Sequence, residues 1–436
     1  MKNKVQQTML ALSMLTFGLS YAQESRDLSV DQVMDLALQN HQQLKVSAKN
    51  IDIAKQQTEV AKLQKLPSIT ASTSQFFLGN ALIIDKDFSN STKVEMPHYG
   101  STYSVQAQQL IFKGGLVNKS IEMYDLREQL AELDVEKDQQ NVKFLVTSNY
   151  LDIYKLINQT EVYQNNKKLA QERLKNIQKF YQQGMITRNE VIRAELAIKN
   201  LDQGLLVLEN NRKIVTYQLN VALGLNPDTQ INPTESIDIQ EKGFYRDYYE
   251  NLAFENHPAM KSAYKNVEVA DKNIEIINTD KMPTIAAFGG YNMQRPITTR
   301  VPAMDMYTNS WQSGISLSYN IDNLYKIKEK VKLGQLQKEQ ANEATSLIKE
   351  QLKVVVNAAY VKYVESIQQA HLFNDSKKLA EENYKITEAK YLNQLAVQAE
   401  MIDAQNQKLQ AELDFANAEI NVLYQYYSLL KTTGTL

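Results

Sequence analysis

The spacing of apolar residues predicts that most of this chain is helical. After Gly184, apolar side chains recur at alternating intervals of three and four residues, the heptad pattern of helices that wrap around one another. Before that glycine, the stretch from Leu116 to Tyr181 contains neither proline nor glycine. These features predict two long antiparallel helices joined by a turn at Gly184. The apolar seam consists of Val191, Ala194, Ile198, Leu201, Leu205, Leu208, Val215, Leu219 and Ala222.

Four short segments alternate between apolar and polar residues, as strands do. The last shows this best, because Trp311 and Ile315 fall on one face while Gln312 and Ser316 fall on the other. The predicted strands are Pro67–Leu78, Tyr103–Phe112, Pro283–Met293 and Trp311–Asp322, with an aperiodic loop over Gly79–Gly100. The other predicted helices are Asp31–Leu66, Tyr245–Met282, Tyr325–Tyr391 and Val397–Lys431. The fold class is therefore mainly α with a small β part.

The chain contains one pattern twice. Placing Ala37–Ala71 over Ala253–Ala287, an offset of 216, gives 12 identities in 35 positions. Near the predicted helix turns, an offset of 210 aligns Tyr181 with Tyr391 and Glu190 with Glu400. This internal duplication predicts a first repeat over residues 23–225, a linker over 226–244 and a second repeat over 245–436.

The first 22 residues read as a secretory signal peptide. Lys2 and Lys4 precede the apolar stretch Met9–Leu19, and Ser20-Tyr21-Ala22 has the small-x-small pattern of a cleavage site. A single membrane anchor is the alternative, but the apolar stretch is short for a membrane span. We therefore expect an exported protein.

Composition argues against several kinds of chemistry. The chain has no cysteine and a formal net charge of −2, which excludes disulfides and gives no support for nucleic-acid binding. Its four histidines, His41, His98, His257 and His371, lie far apart, and two of them share a repeat position, which favours a structural role. We therefore predict no enzyme activity, no cofactor and no metal site.

The predicted strands pose a closure problem in an exported chain. Strands that are apolar on one face and polar on the other match a transmembrane barrel with lipid outside and water inside. Four strands cannot close a barrel, and open edges are not tolerated in hydrocarbon. Two copies would supply eight strands and three copies twelve. The alternative is a pair of soluble hairpins packed on helices.

Several motifs resemble the outer membrane efflux protein (TolC) family of trimeric channel-tunnels. They are the repeat openings LALQNHQQLKVSAKNIDIAK and LAFENHPAMKSAYKNVEVADK, the strand starts LPSITA and MPTIAA, the strand end LIFKGG, and the turns FYQQGMITRNEVIRAE and KYLNQLAVQAEMIDAQNQKLQAEL. The resemblance implies a homotrimer in which four strands per chain form a twelve-stranded transmembrane β-barrel and long helices form a periplasmic coiled-coil barrel. It places the protein in the outer membrane of a Gram-negative cell, with the linker in an equatorial belt.

The resemblance also implies partners. Members of the family export drugs, small molecules or proteins by docking to an inner-membrane pump through a periplasmic adaptor (membrane fusion protein). A periplasmic coiled-coil scaffold or binding protein that never enters the membrane remains the alternative.

The resemblance points to candidate residues at a periplasmic entrance constriction. Glu400 and Asp403, spaced i, i+3 on one helical face, match carboxylates that make the family's entrance select cations, and Tyr391 matches a tyrosine that helps to hold it closed. The alternative is that both acids are ordinary solvated residues. The basic partner expected after Tyr391 is replaced by Ala396, with Arg188 and Arg193 as candidate substitutes.

Two turns resemble the family's adaptor-contacting turns, and an exposed apolar turn on a long hairpin suggests a covered surface. A plain helix connection is the alternative. The docking candidates are Gly184, Met185, Ile186 and Thr187 in one turn and Gln394, Leu395, Ala396 and Val397 in the other.

Overall fold

The computed structural model describes residues 25–235 and 245–436. The predicted signal peptide and residues 236–244 of the linker lie outside these ranges. The chain divides into two compact units, each built from parts of both predicted repeats. Among the described residues, one contains 25–48 with Leu133–Lys261 and Leu347–Leu436, and the other contains Lys49–Glu132 and Ser262–Ser346.

Long helices dominate the described chain, as predicted. The longest, of 67 and 70 residues, would each extend for about 100 Å at 1.5 Å per residue. None of the helices in the described ranges combines the length and the apolar character needed to cross a bilayer. The helices are α1 (Val30–Asn40), α2 (Gln42–Lys62), α3 (Leu116–Gln182), α4 (Arg188–Leu223), α5 (Arg246–Asn256), α6 (Pro258–Asn278), α7 (Asn323–Leu392) and α8 (Gln398–Thr433).

Two predicted helices are each broken in two, which the sequence analysis missed. His41 separates α1 from α2 with an extended backbone (φ −62°, ψ 126°), and His257 separates α5 from α6 in nearly the same conformation (φ −65°, ψ 125°). Each imidazole Nδ1 then accepts the backbone N–H two residues ahead, at 3.2 Å in both cases. The histidines therefore cap the second helix of each pair, a structural role at an equivalent repeat position.

The strands number more than the four that alternation predicts. Within the described ranges they are β1 (Ser25–Leu28), β2 (Ser68–Phe77), β3 (Ala81–Ile84), β4 (Ser91–Val94), β5 (Tyr99–Phe112), β6 (Gln230–Pro233), β7 (Thr284–Arg295) and β8 (Thr308–Ser318). The predicted loop Gly79–Gly100 in fact holds the antiparallel β3–β4 hairpin. The linker contributes β6, which pairs in parallel with β1 across more than 200 residues, a contact that no local pattern signals.

Four strands form one antiparallel sheet in the order β2–β5–β7–β8. Its register places Trp311 beside Tyr291, followed by Val105 and Ala71, on one face. The next row, on the opposite face, is Gln312, Gly290, Gln106 and Thr70. The predicted separation into an apolar and a polar face is therefore confirmed, although β8 begins and ends a few residues earlier than expected. Trp311 is 78% exposed.

The unit that contains Leu133–Lys261 and Leu347–Leu436, called the helical unit below, is built around two equivalent apolar clusters. The first includes Ala37, Val146 and Leu219, and the second includes Ala253, Val356 and Leu429, all fully buried. Ala37 corresponds to Ala253 at the offset of 216. Val146 corresponds to Val356, and Leu219 to Leu429, at the offset of 210. The core thus repeats in the same steps as the sequence.

Candidate functional site at the helical turns

The turn between α3 and α4 ends the first helix with a glycine in the left-handed conformation. Gly184 has φ +74°, its N–H donates to the Tyr181 carbonyl, and the N–H of Met185 reaches back to the Phe180 carbonyl, both at 2.9 Å. This bonding is a Schellman motif, which satisfies the last carbonyls of a helix. A Cβ on Gly184 would meet no atom within 4 Å, so the space beyond this residue is open.

The turn between α7 and α8 has the same geometry without a glycine. Gln394 has φ +63°, and its N–H donates to the Tyr391 carbonyl at 3.0 Å. The N–H of Leu395 donates to the Lys390 carbonyl at 2.8 Å. The predicted equivalence of the two turns therefore holds at the level of individual hydrogen bonds.

The turn residues divide into a partly buried pair and an exposed set. Ile186 and Ala396, which are equivalent in the two repeats, pack against one apolar cluster. Met185 is 49% exposed and its equivalent Leu395 is 78% exposed. Thr187 and Val397 follow as the N-cap residues of α4 and α8, and neither side chain makes a capping hydrogen bond. The α3–α4 turn therefore presents Met185 to solvent, and the α7–α8 turn presents both Leu395 and Val397, which is 61% exposed.

The two turns are joined by a shared cluster and by one hydrogen bond. Gln398, at the start of α8, donates from Nε2 to the backbone carbonyl of Glu190 at 2.7 Å. The buried members of the cluster are Ile177, Val191, Ala194, Tyr384, Tyr391 and Met401.

Tyr391 lies inside this cluster. Its side chain is buried, and its hydroxyl has no hydrogen-bond partner within the described part of the chain. Burial raises the pKa of this hydroxyl and so strengthens the preference of the side chain for its neutral, protonated form. An unpaired buried hydroxyl costs free energy, which makes Tyr391 an unusual element of the packing.

The basic group whose charge acts on the Tyr391 hydroxyl is Arg173, which the sequence analysis did not suggest. Arg173 on α3 is 6% exposed, and its guanidinium Nη2 donates to the Gln405 side-chain oxygen on α8. Burial lowers its pKa, while Tyr384, Glu388 and Tyr391 oppose that shift. The Nη1 of Arg173 is buried and has no hydrogen-bond partner among the described residues.

Neither of the substitutes suggested by the sequence is buried in this cluster. Arg188 lies 3.9 Å from Glu195 with more than half of its side chain exposed, and Arg193 is exposed. A signal for Arg173 was available, because it sits between the buried residues Ala170 and Ile177 at heptad spacing. A charge at a seam position indicates a specific polar contact.

Glu400 and Asp403 lie on the exposed side of α8, with Met401 and Ala404 buried behind them. Asp403 accepts a hydrogen bond from Gln407 Nε2 at 2.8 Å. The structure thus places the two acids one helical turn apart, just beyond the α7–α8 turn. No group of three or more potential metal ligands occurs in the described ranges.

Comparison with solved structures shows the fold. The CusC channel is similar, with 12% identity, a TM-score of 0.74 and coverage of 93% of this chain and 91% of CusC. The outer membrane protein VceC of Vibrio cholerae gives 13% identity, a TM-score of 0.72 and coverage of 93% and 96%. The Campylobacter jejuni CmeC outer membrane channel gives 15% identity, a TM-score of 0.69, and coverage of 93% of this chain and 85% of CmeC.

A search of curated protein sequences gives no match. The family model for outer membrane efflux proteins matches residues 33–225 and 250–435, which covers both repeats and most of the chain. This match agrees with the long helices and few strands of the fold, and it confirms the predicted location in the outer membrane. The chain therefore belongs to the outer membrane efflux protein family.

Proposed function

We propose that this chain is the outer-membrane channel-tunnel of a tripartite efflux or secretion system. It would be a passive export duct that a periplasmic adaptor docks and an inner-membrane pump supplies, and it would carry out no chemistry of its own. The observation that carries the proposal is the two-faced sheet. Its apolar face suits lipid, its polar face suits water, and within the described chain its outer strands β2 and β8 each pair on one side only.

The number of strands supports a homotrimer. Open edges are not tolerated in hydrocarbon, so the sheet has to close with strands from other copies. Three copies supply twelve strands, enough to leave a water-filled interior, whereas eight strands fill theirs with side chains. The repeats over residues 23–225 and 245–436 would then alternate around the ring, with the linker 226–244 at its equator.

The polar face suits a conduit that does not discriminate by charge. A hollow of about 540 Å³ on the sheet is lined by Gln106, Gln108, Asn292, Ser310 and Gln312 together with small and apolar residues. Arg295 at the end of β7 is the one charged residue within the four strands. Charge selection would therefore have to occur elsewhere.

Glu400 and Asp403 are our candidates for that selection. In a trimer they would place six carboxylates at one constriction, where crowded negative charges attract cations. Tyr391, packed behind the same turn, would help to hold the entrance closed, with Arg173 as the basic group that acts on it.

The test is single-channel conductance of the purified trimer in planar bilayers, with cation-to-anion selectivity measured for the wild type and for Glu400→Gln/Asp403→Asn. We expect a small, cation-selective conductance that loses selectivity in the double variant. Asp414→Asn is a matched control, because Asp414 also accepts a hydrogen bond from a glutamine on α8 but lies further from the turn.

Each outcome separates parts of the proposal. Selectivity that the double variant leaves unchanged would remove the two acids from the constriction but keep the duct. Folded, trimeric protein that never conducts would favour the periplasmic scaffold instead.

A further inference from the structure

The two outer strands of the sheet come from different repeats: β2 is the first sheet strand of the first repeat, and β8 is the last sheet strand of the second. The sheet runs from β2 and β5 of the first repeat to β7 and β8 of the second. Its central β5–β7 junction is therefore where the first repeat joins the second within one chain. If identical chains form a ring, the join between β8 and β2 of the next copy is the corresponding junction.

The strand registers fix how the repeats correspond. Ile69 and Ile285 are identical at the offset of 216, which makes β7 the repeat of β2. Ser68 pairs with Gln108, and its equivalent Thr284 pairs with Ser318. Ser318 is thus the equivalent of Gln108, an offset of 210. This is the offset that relates the two helical turns, so β8 and the turns belong to one continuous repeat.

We propose that β8 pairs with β2 of a second copy in the register that β5 and β7 show within the chain. This inference rests on the proposed ring of identical chains. The β5–β7 junction pairs Gln106 with Gly290. The equivalent of Gln106 in β8, at the offset of 210, is Ser316, and the equivalent of Gly290 in β2, at the offset of 216, is Ser74. The proposed register therefore pairs Ser316 with Ser74 of the second copy. By the same offsets, the pair Ser104 and Asn292 two residues further along corresponds to Gly314 paired with Phe76 of the second copy.

The side-chain faces give a check that does not depend on the offsets. Ser316 lies in the same row as Ala286, and Ser74 lies in the same row as Thr102, both on the face that also carries Gln312 and Gln106. The proposed register therefore continues the polar face from one copy to the next. A slip of one residue would join the polar face to the apolar one, because side chains alternate along a strand.

Cysteine cross-linking tests the register directly, because the natural chain contains no cysteine. Ser74 and Ser316 of one chain lie on strands at opposite edges of the sheet, three strand spacings or about 14 Å apart. That separation is too great for a disulfide, whose Cα atoms lie within about 7 Å. Any disulfide between these positions must therefore join two copies.

The experiment combines Ser74→Cys with a second cysteine at Gln312, Gly314, Ser316 or Ser318, all on the polar face. After mild oxidation, non-reducing gels measure the yield of cross-linked trimer, and native mass measurement in detergent records the oligomeric state. We expect the yield to peak at Ser316→Cys, at least threefold above Gln312→Cys. The pair Gln75→Cys/Ile315→Cys repeats the test on the apolar face, and Ser74→Cys/Ile315→Cys, with side chains on opposite faces, should not cross-link.

The outcomes distinguish this register from the proposed assembly. A yield that peaks at Gln312, Gly314 or Ser318 in a trimeric protein overturns the register and leaves the trimer. A trimer in which none of the pairs cross-links also overturns it. Folded protein that stays monomeric in native mass measurements overturns both the register and the proposed ring.

Discussion

The histidines at the helix breaks show how a single residue sets both a conformation and a dependence on pH. His257 accepts the Ala259 N–H through Nδ1, which requires a free lone pair and therefore a neutral ring at that nitrogen. Burial lowers the pKa of His257, and nearby Lys137 lowers it further. Geometry and electrostatics thus both favour the neutral form in the folded chain.

We expect acid to destabilise the helical unit through His257. The unfolded histidine, with a pKa of about 6.5, binds a proton at a higher pH than the folded one. The stabilisation is therefore complete above that value and is lost as the pH falls towards the lowered pKa of the folded state. The measurement is the melting temperature of wild type and His257→Asn at about pH 7.5 and about pH 5.5.

Asparagine can cap the helix without titrating in this range, so the variant should lose less stability on acidification than the wild type. His371, which is exposed, provides the control substitution His371→Asn. An equal loss of stability in wild type and His257→Asn would contradict the role given to His257.

At the scale of elements, Arg173 links two long helices. It reaches from α3 to Gln405 on α8, and no carboxylate forms an ion pair with it in the described structure. A buried charge that loses its hydrogen-bonding partner is costly, whereas an apolar pair in the same place can be neutral or better.

We therefore expect the effects of changing these two residues to be non-additive. Gln405→Leu alone should lower the free energy of unfolding by about 2–3 kcal/mol, because it leaves the guanidinium buried with fewer partners. Arg173→Met/Gln405→Leu should recover most of that loss. Denaturant unfolding of the wild type, the single variants Arg173→Met and Gln405→Leu, and the double variant measures the coupling in a double-mutant cycle, and additive effects would refute a direct link.

The elements also show how far the sequence could predict the fold and the candidate site. The scarcity of glycine and proline predicted the long helices, because few residues could end them. The break at His257 had a signal in Pro258, since the residue before a proline disfavours the helical conformation. The break at His41 has no proline after it and could be inferred only from its alignment with His257 in the duplication. The β1–β6 pair and the approach of Arg173 to Tyr391 depend on contacts between residues distant in sequence, which local periodicity does not encode.

For the assembled molecule, we expect the exposed apolar turns to be the surface that the adaptor covers. Met185→Asp/Leu395→Asp should weaken co-purification with the adaptor at least tenfold, because burying each apolar side chain contributes about 1.5–3 kcal/mol. Trimer formation should be unchanged. Phe88→Asp is the matched control, because Phe88 is also apolar and 84% exposed but lies in the turn between β3 and β4.

Gly184→Trp is a second test of the same surface. The open space beyond Gly184 can hold a bulky side chain, although the left-handed backbone adds strain, so the substitution should obstruct a partner more than it disturbs the helices. Loss of the trimer in these variants, or equal adaptor binding by the turn variant and Phe88→Asp, would contradict the docking role.

The two unpaired edges of the sheet have a consequence for inheritance. In the proposed ring, contacts between β8 of one copy and β2 of the next would be heterologous, so every copy would contribute two different edges. A chain with a damaged β8 still offers an intact β2, so it can pair with β8 of one normal copy while its own β8 leaves the ring open. A mutation confined to one edge should therefore be dominant over the normal gene, whereas a mutation that unfolds the whole chain should be recessive.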